Sequence, residues 1–292
     1  MSRAIKIAAC VKRVLDSTVP LHVADGAVQQ DVPWPILHVA GGDRAALDQA
    51  LELRGRVGGS VMAVSVGGAE AVGALRFCLA RGADRALHVQ RPDDLDPMGT
   101  AVAVARAFAR EPIDLLLCGG RSGDGASGQF PAVLAAELDW PLVTGVVGVT
   151  VEGDRGLLVE RRVERGDRET VRCPLPAVLA VEATCSEPRY VSVRARRRAG
   201  SLPIQEINGD GGGAPPWQLI ALEAAKPRPR RVSGPDPKLS AMDRVAHLLS
   251  GGVKQKRSGE FVEGSPDSVA ADIVRFLEER GFVSPREGRP GA

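Results

Sequence analysis

The sequence lacks several features that mark common classes of protein. Its formal net charge is only +2, which argues against a nucleic-acid or polyanion binder. No apolar run approaches the roughly 20 residues of a membrane-spanning helix, so we expect no membrane insertion. The N-terminal segment that precedes the first apolar strand is too short for a signal peptide. These absences predict a cytoplasmic protein without nucleic-acid partners.

Metal-binding and catalytic patterns are missing as well. The five cysteines are scattered without a CxxC pair, which excludes zinc or iron–sulfur clusters of the usual spacing and favours reduced thiols. The four histidines are dispersed, and no GxSxG or P-loop sequence occurs. Because no acid, base or nucleophile is paired with another, the sequence favours a carrier protein over an enzyme.

What the sequence does contain is a regular alternation of strand and helix patterns, which predicts an α/β fold with a parallel sheet covered on both faces. The predicted strands are Lys6–Val11, Val61–Val66, Arg85–Val89, Leu115–Cys118 and Pro176–Val181. The predicted helices are Arg44–Arg54, Ala69–Arg81, Pro97–Arg110 and a segment from Gly128–Pro131 to just before Trp140. Short segments at Val146–Val151, Leu157–Arg162 and Glu169–Cys173 are separated by Gly-Asp pairs and predict an antiparallel hairpin insertion.

The C-terminal third has a different composition. Gly209–Pro216 and Lys226–Pro237 are rich in Gly and Pro and predict flexible linkers. Asp267–Arg280 predicts an amphipathic helix, preceded by Ser265-Pro266 and ended by Gly281. We therefore expect an α/β domain over residues 1–195 and a linker with an extended C-terminal arm over residues 196–292.

The segment from Ile113 to Pro141 holds the best candidate binding site. A buried strand is followed by a loop of small residues and then by a helix N-terminus. Free backbone N–H groups and the positive end of the helix dipole attract anions at such a place. The same pattern also fits an ordinary connection between strand and helix, so both interpretations stay open here.

Several motifs occur in the order found in one family. They are AACVKRVLD (Ala8–Asp16), the segment Val61–Val89 with its LARGADR turn, DGASGQFPAVLAAELDWP (Asp124–Pro141), and the hairpin Val159–Val181 followed by EPRY (Glu187–Tyr190). Together they resemble the electron transfer flavoprotein beta subunit family, over roughly residues 4–195. The resemblance implies a Rossmann-like fold of the adenine-nucleotide alpha-hydrolase-like type. It also implies an alpha subunit that carries the redox-active FAD, with dehydrogenases as electron donors.

The resemblance further implies an adenine nucleotide in this subunit, either AMP or a second FAD. The adenine side would involve Cys10, Val66 and the segment Ala40, Gly41, Gly42 and Asp43. The phosphate side would run from Asp124 to Ala135 and includes Gly125, Ala126, Ser127, Gly128, Gln129, Phe130, Pro131, Ala132 and Ala135. Backbone N–H groups from Ser127 to Ala132 would be the donors. The first-strand, second-strand and loop positions all lie at strand carboxyl ends, where open α/β sheets bind ligands.

Departures from the family pattern bear on the ligand. Relatives usually carry Asn-Pro ahead of the first helix, where this chain has Ala40-Gly41-Gly42-Asp43. Pro131 has no N–H to offer a phosphate, at a cost of about 1–3 kcal/mol if that group was a ligand. AMP is favoured over a second FAD, although Asp124-Gly125 leans toward electron-bifurcating relatives. Asp43 is interpreted as the N-cap of its helix rather than a ligand contact. For Asp124, a role at the nucleotide and an Asx-turn are both open.

The basic cluster of Arg194, Arg196, Arg197 and Arg198 follows Tyr190, where relatives have a dehydrogenase recognition loop. The resemblance implies an exposed apolar anchor in the loop near Tyr190–Arg198, and Val193 is the nearest candidate. A solvated charge run explains the arginines equally well.

Parts of the sequence also suggest two other functions. A nucleotide-using enzyme of the ATP pyrophosphatase type is suggested by Ala40-Gly41-Gly42-Asp43, which loosely echoes a Ser-Gly-Gly-x-Asp loop. However, that loop must follow the first strand directly, and here a long stretch with Pro33 and Pro35 intervenes. A nucleotide-sensing stress-type protein would need a glycine-rich loop near its last strand, which the sequence lacks.

Overall fold

The computed structural model describes residues 4–32, 37–91, 96–109, 111–153, 156–186, 189–209, 220–224, 235–236, 238–249 and 261–283. The chain forms two compact units, Met1–Ala224 and Ala225–Ala292. The first unit includes a helix that spans residue 195, Val193–Ser201, and a strand that follows it, Gln205–Asn208.

A nine-stranded sheet forms the centre of the first unit. Its members are β1 (Ile5–Cys10), β6 (Gly59–Gly67), β7 (Arg85–Gln90), β8 (Leu115–Gly119), β9 (Leu142–Glu152), β10 (Gly156–Arg162), β11 (Arg168–Pro174), β12 (Ala177–Val181) and β13 (Gln205–Asn208). Their order is β11-β10-β9-β12-β8-β1-β6-β7-β13. In that spatial order, all neighbouring strands from β9 through β12, β8, β1, β6 and β7 to β13 pair in parallel. Strand β10 pairs antiparallel with both β9 and β11. The predicted α/β class and the antiparallel hairpins are confirmed.

Five helices accompany this sheet: α1 (Gly41–Val57), α2 (Ala71–Arg81), α3 (Pro97–Phe108), α4 (Gln129–Leu138) and α5 (Val193–Ser201). Alternate strand residues face opposite sides of a sheet. Accordingly, Ile7 and Ala9 pack in one apolar cluster with side chains of α1 and α2, whereas Ala8 and Cys10 pack in another with α3 and α4. Burial on both faces explains why the central strands are continuous apolar runs.

Four short strands between β1 and α1 were not predicted. They are β2 (Arg13–Leu15), β3 (Leu21–Ala24), β4 (Ala27–Gln30) and β5 (Leu37–Val39). β3 and β4 form a hairpin across Asp25 and Gly26, whose φ angles are 52° and 73°. Positive φ at both turn residues is the requirement of a type I′ turn, for which Asp-Gly is a preferred pair. That dipeptide was the sequence feature that could have revealed the hairpin.

The second unit contains α6 (Ala241–Leu249) and α7 (Pro266–Glu279). Ser265 caps α7 by accepting a hydrogen bond from the Ser268 N–H at 3.3 Å, and Gly281 follows the helix with φ 72°. The predicted C-terminal helix is confirmed. The two predicted linkers lie largely outside the described residues. Across the described parts of the chain, no helix combines the length and apolar character needed to cross a membrane.

Candidate functional site

The candidate site lies where the carboxyl ends of the central strands meet. From β1 the chain proceeds through α1 to β6 and then to β7, and it returns through α3 to β8 on the other side of β1. A reversal of this kind leaves a crevice beyond the strand ends, where α/β sheets bind ligands. Cys10 is the last residue of β1, Val66 lies next to the end of β6, and Asp124 follows β8. The structure thus brings the predicted positions to one edge of the sheet.

Asp43 joins three elements at this edge. Its side chain is buried, with 6% relative exposure of the residue. Its Oδ2 accepts a hydrogen bond from the Lys12 N–H at 2.8 Å, and its Oδ1 accepts one from the Gly119 N–H at 3.0 Å. The carboxylate therefore ties the first turn of α1 to the chain just past β1 and to the end of β8.

The interpretation of Asp43 as an N-cap was wrong. The N-cap of α1 is Ala40, with extended backbone, and Asp43 stands in the third position of the helix. The helix begins earlier because Gly41 and Gly42 allow the chain to turn close to β8: a Cβ on Gly42 would lie 3.2 Å from the Gly119 Cα. Gly119 is equally constrained, since a Cβ there would approach the Asp43 Oδ1 to 2.5 Å.

The pKa of Asp43 reflects the burial of its side chain. Burial raises the pKa of Asp43 to about 6, and the hydrogen bonds from the Lys12 and Gly119 amides oppose that rise only in part. Burial also raises the pKa of the Cys10 and Cys118 thiols, with the nearby Asp43 carboxylate contributing to both. Buried thiols of this kind are unreactive packing groups, so Cys10 would serve the site through its backbone.

Asp124 is held by a different set of partners. Its carboxylate forms an ion pair with the Lys12 Nζ at 2.6 Å and accepts a hydrogen bond from the Gly125 N–H at 2.7 Å. Partial burial acts to raise the pKa of Asp124, but the hydrogen bonds from Lys12, Ser122 and Gly125 outweigh it and the pKa lies below its usual value. Asp124 therefore bonds within its own loop, but to the N–H of the next residue rather than to the one two residues on that defines an Asx-turn, and it also reaches Lys12 just past β1.

The loop between β8 and α4 presents a partial cradle of N–H groups. Within the described residues, the amides of Ser127, Gly128 and Phe130 donate to no acceptor, whereas the Gln129 N–H reaches the Ser127 Oγ at 3.4 Å. Gly128 is the N-cap of α4 with φ 69°, a conformation that favours glycine. Pro131 occupies the third helical position and supplies no N–H. Of the sequence-predicted donors, Pro131 is therefore excluded and the Gln129 amide is directed to Ser127, whereas the amides of Ser127, Gly128 and Phe130 stay available.

A cleft of about 600 Å³ opens beside the N-terminus of α4. Four predicted residues line it, namely Gly42, Gly128, Pro131 and Ala132. The other lining residues, which sequence reasoning missed, are Gly120, Arg121, Leu142, Thr144, Gly145, Ala180, Val181, Glu182 and Ala183. Ala180 and Val181 end β12, and Glu182 and Ala183 follow it; the apolar run of that strand made the position of its carboxyl end predictable. The volume lies in the range of small-ligand pockets.

The remaining predicted residues do not line this cleft. Cys10 and Val66 lie at the ends of β1 and β6, on the other side of β8 from β12. Gln129 is exposed at the start of α4, and Ala135 is buried among the apolar side chains beneath that helix. The predicted residues therefore do not share one cleft: four line the cleft beside α4, and Cys10 and Val66 lie across β8 from it.

Comparison with known proteins identifies the family. A family model described as the electron transfer flavoprotein domain matches residues 38–226. The human protein named electron transfer flavoprotein subunit beta is 31% identical over 238 residues, which cover 79% of this chain and 91% of that protein. The Bacillus subtilis (strain 168) protein of the same name is 29% identical over 276 residues, or 94% and 97% of the two chains. This chain belongs to the electron transfer flavoprotein beta subunit family.

The family resemblance inferred from motifs is thus confirmed. Electron transfer flavoprotein beta subunits are electron-transfer proteins, so the expectation of a carrier subunit rather than an enzyme is also confirmed. The alternative of an ATP pyrophosphatase-type enzyme has no support among the relatives described here.

In this family member, the segment expected as a recognition loop is partly helical. Ser192 caps α5 by accepting a hydrogen bond from the Ala195 N–H at 3.1 Å, and the helix begins at Val193. The Arg76 guanidinium, on α2, donates hydrogen bonds to the carbonyls of Ala199 and Leu202 and so secures the end of α5. The arginine cluster therefore lies along an anchored helix rather than in a loop.

Apolar side chains stand out beside these arginines. Tyr190 and Val193 have relative exposures of 91% and 65%. All four arginines of the cluster, Arg194, Arg196, Arg197 and Arg198, are exposed. The surface formed by Tyr190, Val193 and these four arginines is called the α5 surface below.

Proposed function

We propose that this chain is the beta subunit of a heterodimeric electron transfer flavoprotein. In this proposal it pairs with an alpha subunit that holds FAD, and the pair carries electrons from dehydrogenases to a downstream acceptor. The observation that supports it most strongly is the match to beta subunits over nearly the whole chain, 94% of it for the Bacillus subtilis relative. The redox chemistry would be supplied by the flavin, and the protein would contribute position and field.

We further propose that the subunit holds an adenine nucleotide, AMP rather than a second FAD. The three free amides of Ser127, Gly128 and Phe130 suit a phosphate group, as does the positive end of the α4 dipole. The adenine would extend toward Cys10 and Val66, whose strand ends are apolar. No acid–base pair is required, because the nucleotide would be structural.

The α5 surface is the proposed docking site for dehydrogenases. The exposed Val193 side chain would be buried when a dehydrogenase docks. The neighbouring arginines would attract an acidic surface of that partner and so speed association. On α7, Ile273, Val274 and Phe276 are exposed and lie on one apolar stripe. We propose that this C-terminal arm contacts the alpha subunit, and that the heterodimer works in the cytoplasm.

Co-expression with the alpha subunit of the same organism tests the proposal. We expect a yellow heterodimer that releases one FAD and one AMP per pair after heat denaturation, as counted by chromatography. Two FAD and no AMP would instead assign the chain to the electron-bifurcating kind. A colourless, stable chain that does not bind the alpha subunit would refute the proposal, and pyrophosphate release from ATP would favour the enzyme alternative.

A further inference from the structure

We infer that Lys12 is a positioning residue for the nucleotide-binding loop, which it holds through its ion pair with Asp124. The inference rests on the proposed function, because it concerns the same nucleotide. Lys12 follows β1, and Asp124 lies in the loop between β8 and α4. The pair therefore connects the segments that follow two neighbouring strands, at the edge where the crevice lies.

The backbone beneath this ion pair is fixed. Asp43 receives the Lys12 N–H at 2.8 Å and the Gly119 N–H at 3.0 Å, so one buried carboxylate sets both the base of the lysine and the start of the loop. The Lys12 side chain then extends to the loop, where its Nζ meets Asp124 at 2.6 Å. The loop is thus tied at its beginning through Gly119 and further along through Asp124.

Groups of its own loop orient the Asp124 side chain independently of Lys12. The Gly125 N–H donates to its Oδ1 at 2.7 Å, and the Ser122 hydroxyl also bonds its side chain. A carboxylate held by its own loop loses little side-chain entropy on pairing, which is the main cost of an exposed ion pair. The contact can therefore transmit a constraint to the free amides of Ser127 and Gly128, which lie three and four residues further on.

Lys12 could instead contact the phosphate directly. The two roles predict opposite effects of Asp124→Asn on nucleotide binding. If Lys12 binds phosphate itself, Asp124 competes for the ammonium group, and Asp124→Asn strengthens nucleotide binding. If Lys12 acts through Asp124, the same substitution weakens binding. The Asn side chain still accepts from the Gly125 amide, so Asp124→Asn removes the charge and leaves the local turn in place.

The experiment measures AMP dissociation from the co-expressed heterodimer in a chase with excess unlabelled AMP. Lys12→Met and Asp124→Asn should each accelerate dissociation about two- to fivefold, the range of an exposed ion pair. The double variant should be no faster than either single variant, since both remove the same contact. Lys12→Arg should restore the wild-type rate to within about twofold, because the charge is kept. Lys6→Met, at the opposite end of β1, is the matched control and should not alter the rate.

Three results would overturn the inference: slower dissociation from Asp124→Asn, additive effects in the double variant, or unchanged dissociation from Lys12→Met. Circular dichroism melting of each variant separates these outcomes from loss of the fold. A wild-type heterodimer that retains no AMP would contradict the proposed function itself and would remove the basis of this inference with it.

Discussion

The buried carboxylate of Asp43 should make the stability of this protein depend on pH in an unusual direction. The ordinary pKa of an aspartate is 3.8, and burial raises the pKa of Asp43 to about 6 in the folded chain. A group whose pKa is higher in the folded chain than in the unfolded chain contributes its full stabilisation at pH values below the unfolded pKa. That contribution is lost as the pH rises through the folded pKa. The fold should therefore lose stability at this residue between about pH 4 and pH 7.

The size of the effect follows from the shift. A difference of about two pKa units corresponds to about 3 kcal/mol in the free energy of unfolding. Asp43→Asn is neutral at every pH and so lacks this dependence, but its Nδ2 cannot accept one of the two amide hydrogen bonds that the carboxylate oxygens accept, which costs about 1–3 kcal/mol at every pH. The stability difference between variant and wild type should therefore shift by about 3 kcal/mol in favour of the variant between pH 4 and pH 7.5.

Urea unfolding of both chains between pH 4 and pH 7.5, followed by circular dichroism, measures the difference directly. Comparing the two chains cancels the titration of the other carboxyl groups. Asp16→Asn is a control of opposite sign, because hydrogen bonds from the backbone and side chain of Thr18 hold the pKa of Asp16 below its usual value. Parallel curves for wild type and Asp43→Asn, or a wild type that gains relative stability as the pH rises, would refute the reasoning. Either result would mean that the two amide hydrogen bonds govern Asp43 more strongly than its burial.

The remaining predictions concern a buried ion pair, two glycines and the α5 surface. Arg81→Met removes one partner of a buried ion pair with Asp48 and should cost about 3–5 kcal/mol in urea unfolding, whereas Arg172→Met, at an exposed pair, should change the midpoint little. Gly59→Ala should cost about 1–3 kcal/mol, since φ is 116° and the new Cβ would meet the Ile5 carbonyl. In the same assay, Gly55→Ala in exposed helix should stabilise by about 0.5–1 kcal/mol. Val193→Ala should leave the melting temperature unchanged but raise the KM for the dehydrogenase about fivefold; an unchanged KM would contradict docking through Val193.

Much of the fold was predictable because its determinants are local. Apolar runs of four to six residues mark the central strands, and the helix of the C-terminal unit was predicted at Asp267–Arg280 and found at Pro266–Glu279. Its start is encoded by Ser265-Pro266 and its end by Gly281, all within one turn of the helix. Boundaries set by caps of this kind need no knowledge of the rest of the molecule.

The functional arrangement at Asp43 was not predictable in the same way. An aspartate just before an apolar helical pattern favours an N-cap, and only the tertiary structure shows otherwise. Its two partners lie 31 and 76 residues away in sequence. Helix α5 was missed for a similar reason. Its arginine run indicates a solvated segment, but Arg76 holds its last turn from a helix 123 residues earlier.

The outermost strand β11 has a consequence for the behaviour of the protein in concentrated solution. An unprotected sheet edge can recruit a strand from another molecule and begin aggregation. Here Arg168 pairs with Glu160 at 2.6 Å and Arg172 with Glu152 at 2.9 Å, so charged groups border the exposed backbone of that strand. A foreign strand that approached this border would have to dehydrate them. The hairpin that ends in β11 thus protects this edge of the sheet against pairing with a strand of another molecule.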